Sequence, residues 1–374
     1  MGLSASKDWK PNEQAARQFR QAEQALLKKY GVKDITTERH LKLSSNPALG
    51  GVTFARVLEV NLPVATASQP KANDIPVMFF HGGGGTPCDW LPILPHLVQP
   101  GRVVYLVERP GNGLSYPLDY TTVEVADFSA QFVSEVLQAL NIRKVHLVGN
   151  SFGGGTVVWY ANKHPNLSTA VASITLVGTP AGFQGMNVPW VACLVRPWMG
   201  TIGGFLAPFF PFIPAFLMGV VLRISLNALS VGYLYYLYLA YCMRHNTESI
   251  ITMIMQLYPL AHKGKGWKLK DLEHLSLKTC VYVLMGTCEP FISSAQQDEI
   301  TRCIGAENHI RDIGFGHIPW FADPNEYAIT LQRLWAEAEA HSNASESRAL
   351  MPIFHQSPNA MVCKRLEPRS GKVF

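Results

Sequence analysis

Three residue groups, far apart along the chain, carry the side chains that nucleophilic acyl transfer needs. The run Val145-His-Leu-Val-Gly149-Asn150-Ser151-Phe152-Gly153-Gly154 sets a serine in G-x-S-x-G spacing where a β-rich apolar run gives way to a helical pattern. A tight strand-to-helix turn there lifts the Ser151 hydroxyl clear of the backbone. Gly149 and Gly153 are the small neighbours that let strand and helix approach. Upstream, Phe80-His81-Gly82-Gly83-Gly84-Gly85-Thr86 follows another apolar run, with Trp90 close behind. Glycines there let backbone N–H groups face a developing oxyanion, and the expected donors are Gly83 and Phe152. A phosphate-binding loop would need Lys-Ser/Thr after its last glycine, and Thr86-Pro87 stands there instead.

A serine nucleophile needs a base and a group that orients it. His317, in Gly314-Phe-Gly316-His317-Ile-Pro319-Trp320 near the end of the folded region, is the expected base. Glu289, in Met285-Gly286-Thr287-Cys288-Glu289-Pro290 at the end of an apolar run, is the expected orienting acid. Asp298, Asp312 and Asp323 compete for that role, from a helix, from within a strand and from beyond the histidine respectively. The chain shows no metal-ligand spacing and implies no cofactor.

These groups need a scaffold. Residues 77–80, 103–107, 145–148, 174–177 and 281–285 read as buried parallel strands, with 308–313 as a last strand and 52–60 as an antiparallel leading one. Helical patterns over 123–140, 152–164, 295–304 and 325–340 alternate with them, which predicts an α/β fold with helices on both faces of a mostly parallel sheet. Between residues 187 and 267 the rhythm breaks. Arg196 and Arg223 bracket 26 uncharged residues and Arg223 and Arg244 bracket 20, so both stretches are long enough to span a bilayer. Prolines at 208, 211 and 214 interrupt the first, and tyrosines at 233, 235, 236, 238 and 241 crowd the second. An insertion returning to the same sheet is expected to form a hydrophobic cap. The expected organisation is a basic amphipathic segment over 1–42, core over 43–186, cap over 187–267, core again over 268–341, and a disordered tail over 342–374.

Composition narrows the partners. The 374 residues are 48% hydrophobic and 16% charged, which excludes a disordered polyelectrolyte. The net charge of +5 sits at the ends: residues 1–42 carry nine basic and five acidic groups and residues 342–374 five and two, leaving −2 between them. Basic ends on a near-neutral body suit an anionic surface and do not form a nucleic-acid footprint. Met1-Gly2-Leu3-Ser4-Ala5-Ser6-Lys7 matches the N-myristoylation pattern, with Gly2 as acceptor. Ala15, Phe19, Ala22, Leu26 and Tyr30 then recur at helical spacing, either for a membrane or for the protein's own body. Seven scattered cysteines with no CxxC pair fit a reduced thiol set. The expected location is intracellular, at the cytoplasmic face of a membrane.

Taken together, the motifs resemble the cap-bearing branch of the α/β-hydrolase superfamily over residues 52–340. His81-Gly82-x-x-Gly85 with Trp90, the Ser151 elbow, Gly316-His317-x-Pro319 and Arg109-Pro110-Gly111-Asn112-Gly113-Leu114-Ser115 carry the resemblance. It implies the order Ser151, Glu289, His317 for a catalytic triad, although Glu289 stands where the family more often has Asp. Likewise, Glu108 precedes Arg109-Pro110 where Asp is frequent, with only local hydrogen bonding expected to change. The implied activity is a serine hydrolase cleaving esters of hydrophobic, lipid-like acyl compounds through an acyl-enzyme. The alternatives are a carbon–carbon bond hydrolase, since Gly149-Asn150-Ser151-x-Gly153-Gly154 is similar to that elbow, an acyltransferase, or a non-catalytic ligand-binding member. Oligomeric state is not written in the sequence.

Overall fold

The computed structural model describes residues 12–63, 75–164, 166–180, 223, 230–263 and 269–349. Its centre is one sheet of eight strands: β1 (Thr36–Lys42), β2 (Phe54–Val60), β3 (Val77–Phe80), β4 (Val104–Glu108), β5 (Val145–Asn150), β6 (Val171–Val177), β7 (Cys280–Leu284) and β8 (His309–Ile310). Their order is β1-β2-β4-β3-β5-β6-β7-β8, antiparallel from β1 to β4 and parallel from β4 to β8. Strands β3 to β6 are buried along their whole lengths, which is why they read as unbroken apolar runs. Their two-residue period splits the core. Met78, Phe80, Leu147 and Ile174 face one helical layer, while Val77, Phe79, Val148 and Val177 face the other.

The α-helices of eight or more residues among the described residues are α1 (Glu13–Lys29), α2 (Val125–Ala139), α3 (Phe152–Lys163), α4 (Val231–Cys242), α5 (Arg244–Lys263), α6 (Leu269–Ser276), α7 (Ser294–Ile304) and α8 (Pro324–Ala349). Asn12 caps α1 by accepting from the N–H groups of Gln14 and Ala15 at 3.0 and 3.1 Å. Its apolar stripe packs on the protein's own body: Phe19 is fully buried, 4.6 Å between ring centroids from Tyr236 of α4. That settles the choice left open by the sequence. The boundary expected at residue 42 is also displaced, because α1 and β1 belong to the core. In β1 only Leu41 is buried, so this polar edge strand shows no alternation to read. At the other end α8 continues to Ala349, past the expected boundary at 342, and residues 350–374 lie outside the described residues.

Much of the expected cap, 181–222 and 224–229, also lies outside the described residues, as does Gly2. Among the described residues no helix is long and apolar enough to cross a membrane. The tyrosine-rich helix α4 has 12 residues, about 18 Å at 1.5 Å per residue, well short of the ~30 Å hydrocarbon core. The five described cysteines, Cys88, Cys242, Cys280, Cys288 and Cys303, are all free thiols.

One buried charge cluster anchors α1 to the sheet. Arg56 on β2, fully buried, donates to Glu23 of α1 (2.5 Å), Glu38 of β1 (2.9 Å) and Glu108 of β4 (3.0 Å). Of the three acids around this guanidinium Glu23 and Glu108 are fully buried, so ionising all three would leave negative charge uncompensated away from water. Burial, with Glu23 adding to it against the pull of Arg56, pushes the Glu108 carboxyl from 4.5 up to about 8. Glu108 also accepts the Leu114 N–H at 3.0 Å, a local hydrogen bond that ties the loop after β4 back to the strand. Between pH 4.5 and about 8 the folded chain holds a proton there that the unfolded chain has released. Stability from this group is therefore full below the lower value and falls as pH rises through the upper one. Unfolding midpoints measured from pH 6 to 8.5 should decline in wild type and decline less steeply in Glu108→Gln. Parallel slopes would place the proton elsewhere.

Candidate active site

Ser151 occupies the turn between β5 and α3 with φ 51° and ψ −118°, a conformation costly for a residue with a Cβ. The turn is held by Ser151 N–H donating to the Val177 carbonyl at 2.9 Å and by Gly155 N–H donating to the Ser151 carbonyl at 3.2 Å. A methyl group on Gly149 would run into the backbone of Gly153 and Gly154, and one on Gly153 into the carbonyls of Phe80 and His81. The expected close approach of strand and helix is therefore present. Gly153→Ala has to push α3 off the sheet, at a cost of about 1–3 kcal/mol. Urea unfolding should report that loss, and an unchanged midpoint would show that the turn can relax.

His317 lies in the loop after β8 and is buried. Its Nδ1 is 2.9 and 3.0 Å from the two carboxylate oxygens of Glu289, whose side chain is fully buried and also accepts the Phe291 N–H at 3.0 Å. The Phe291 ring stands edge-on to the imidazole, with centroids 4.7 Å apart. Backbone bonds Gly316 N–H to Thr287 O (2.8 Å) and Thr287 N–H to Gly314 O (2.9 Å) lace the acid loop to the histidine loop. The competing carboxylates stand elsewhere. Asp298 is exposed on α7 and pairs with Arg311 at 2.8 Å, and Asp323 accepts the Glu326 N–H at the start of α8. Asp312 was expected inside a strand, but β8 ends at Ile310 and Asp312 turns out of it with φ 63°.

Asn150 ties these parts together. Its amide donates to the carbonyls of Val177 and His317, each at 3.1 Å, so the residue beside Ser151 grips the backbone of the base. Among the described residues Ser151 Oγ makes no direct hydrogen bond to the imidazole, whose Nδ1 is taken up by Glu289. The glycine loop comes close from the other side. A Cβ on Gly82 would sit 3.4 Å from Ser151 Cβ, and one on Gly83 would sit 3.9 Å from Phe152 Cβ. Neither the Gly83 nor the Phe152 N–H donates to a protein acceptor among the described residues.

Several contacts behind this arrangement are not legible in the sequence, because the partners are distant in the chain. Trp320 donates Nε1–H to the Asp89 carbonyl at 2.7 Å and stacks on Trp90 at 4.0 Å, joining the histidine loop to the glycine loop. Asp89, pushed up to about 6 chiefly by burial, accepts from Thr86 and from Tyr233 Oη at 2.8 Å. Tyr241 Oη donates to the Gly84 carbonyl at 3.2 Å. The tyrosines of α4 thus fasten cap to loop, and Met253 of α5 lies over Gly83. Among the described residues no group of three His, Cys, Asp or Glu side chains is placed to hold a metal ion.

Comparison with known proteins matches residues 75–222 to the family model described as alpha/beta hydrolase fold. The naproxen esterase (carboxylesterase NP) of Bacillus subtilis superposes over 87% of this chain and 99% of its own, with a TM-score of 0.58 at 13% identity. The chain has the α/β-hydrolase fold, and residues 75–222 match that family. Its sequence relatives match over shorter stretches. The proline iminopeptidase of Clostridioides difficile (strain 630) is 28% identical over 103 residues, 27% of this chain and 35% of that one. The 2-hydroxy-6-oxononadienedioate/2-hydroxy-6-oxononatrienedioate hydrolase of Escherichia coli (strain K12) is 30% identical over 119 residues, 31% of this chain and 40% of that one. The chain therefore spans less than half the length of these curated relatives.

Proposed function

We propose that this α/β-hydrolase cleaves esters of hydrophobic, lipid-like acyl compounds through an acyl-Ser151 intermediate. The observation that carries the reading is the buried Glu289–His317 pair beside a strained serine turn flanked by two N–H donors that have no acceptor among the described residues. Ser151 Oγ attacks the ester carbonyl as His317 Nε2 takes its proton. Glu289 holds Nδ1 protonated and stabilises the imidazolium. The Gly83 and Phe152 N–H groups bind the oxyanion. Collapse expels the alcohol, which takes the proton from His317. Water, deprotonated by the same nitrogen, then attacks the acyl carbon, and the acid leaves as Ser151 recovers its proton. The two uncharged stretches of the cap, between Arg196 and Arg223 and between Arg223 and Arg244, the second rich in tyrosine, support an apolar acyl group.

A fluorophosphonate probe should label Ser151, and p-nitrophenyl esters should turn over faster as the acyl chain lengthens. A second reading is favoured by the matched Escherichia coli relative: turnover of vinylogous diketones with no ester hydrolysis would select carbon–carbon cleavage. No labelling at Ser151 would sink both. Placement at the cytoplasmic face of a membrane rests on the Met1–Lys7 pattern. Gly2→Ala should release the protein from pelleted membranes, and unchanged pelleting would remove the acyl anchor.

A further inference from the structure

Arg109 immediately follows β4 and is fully enclosed, yet it has no carboxylate within ion-pair distance among the described residues. Its Nη1 is buried without a hydrogen-bond partner among the described residues. Desolvating a guanidinium is costly, and pairing it with an acid is the usual remedy. Here its other donors go to backbone carbonyls of the glycine loop: Nη2 to Gly82 O at 2.7 Å and Nε to His81 O at 3.2 Å. The guanidinium carbon also lies 4.4 Å from the centroid of the Phe152 ring.

The Gly82 carbonyl and the Gly83 N–H belong to one planar peptide unit, so holding the first aims the second. That carbonyl takes three donors: Arg109 Nη2, His81 Nδ1 at 2.9 Å and Gly85 N–H at 3.2 Å. His81 is fixed in the tautomer this requires, because its Nε2 accepts the Arg109 N–H at 3.1 Å. Burial and the neighbouring Arg109 charge both hold His81 neutral. Charged donors on a carbonyl draw electrons from the amide and make its N–H a stronger donor. We infer that Arg109 is a positioning residue that aims and polarises the Gly82–Gly83 peptide while bracing Phe152, so that one buried guanidinium organises both oxyanion donors. This rests on the hydrolase reading above.

Arg109→Lys keeps the charge and loses the fork, whereas Arg109→Met loses both. In folded variants kcat should fall about 10- to 100-fold with KM within about twofold of wild type, the Lys variant being the less affected. Affinity for an aliphatic trifluoromethyl ketone, which forms a tetrahedral oxyanion on serine, should fall by the same factor as kcat. A merely structural role would not move these two together while sparing KM. Wild-type kcat and ketone affinity in a folded variant would overturn the inference, as would a rise in KM alone. If neither variant folds, the wild-type amide nitrogen of Gly83 decides: a resonance downfield of ordinary glycines is expected, and an ordinary position overturns it. Fluorophosphonate labelling of wild type separates the two levels. Labelled wild type with unaffected variants removes only the role of Arg109, and unlabelled wild type removes the hydrolase reading as well.

Discussion

Ser151→Ala is expected to lower kcat by about 10⁴-fold or more and to abolish fluorophosphonate labelling, while the protein stays folded. In the proposed reaction the hydroxyl at the junction of β5 and α3 is the nucleophile, and water cannot replace it without losing the covalent step. Residual hydrolysis would come from the Gly83 and Phe152 donors acting on a bound ester. The φ of 51° persists in the alanine variant, so Ser151→Gly should be more stable than Ser151→Ala by about 1 kcal/mol, since glycine adopts positive φ freely. Chemical denaturation of the two variants measures that difference. Full activity in the alanine variant would remove Ser151 from the reaction.

Glu289→Gln should cost about 10²- to 10⁴-fold in kcat with little change in fold. In wild type both carboxylate oxygens face His317 Nδ1, and one also accepts the Phe291 N–H. With the amide oxygen kept on Phe291, the glutamine NH₂ meets Nδ1, favours the tautomer protonated on Nε2, and leaves Ser151 without a base. Glu289→Asp retains the charge but shortens the reach by a methylene, so an intermediate loss is expected. Asp298→Asn is the matching control, because Asp298 is exposed and pairs with Arg311. Steady-state rates on one ester decide. Equal losses in Asp298→Asn and Glu289→Gln would refute the assignment of the acid.

The sequence alone identified the sheet, the helices on its two faces and the strand-to-helix turn around Ser151, because each is written in local chemistry. Strands β3 to β6 are apolar at every position since both their faces are covered. Gly149 and Gly153 lack side chains where backbones nearly touch. Those signals sit within a few residues of one another. Strand β1 is not legible in the sequence, because an edge strand with one buried side chain has no period. The stripe on α1 announced that something covers it, but a membrane and the protein's own tyrosines ask for the same apolar spacing. Only the packed structure chose Tyr236.

Tertiary structure also decided which carboxylate faces His317. Glu289 and Asp298 are nine residues apart and alike as acids, yet one is buried against the imidazole and the other lies on the surface. The same holds for Asn150, whose amide reaches a carbonyl 167 positions away, and for Arg109, whose charge is spent on the loop 27 positions before it. Local pattern records what a residue needs from its chain neighbours. Long-range partners are chosen by how helices and strands close on one another, and that geometry is set by the whole core rather than by any short stretch of it.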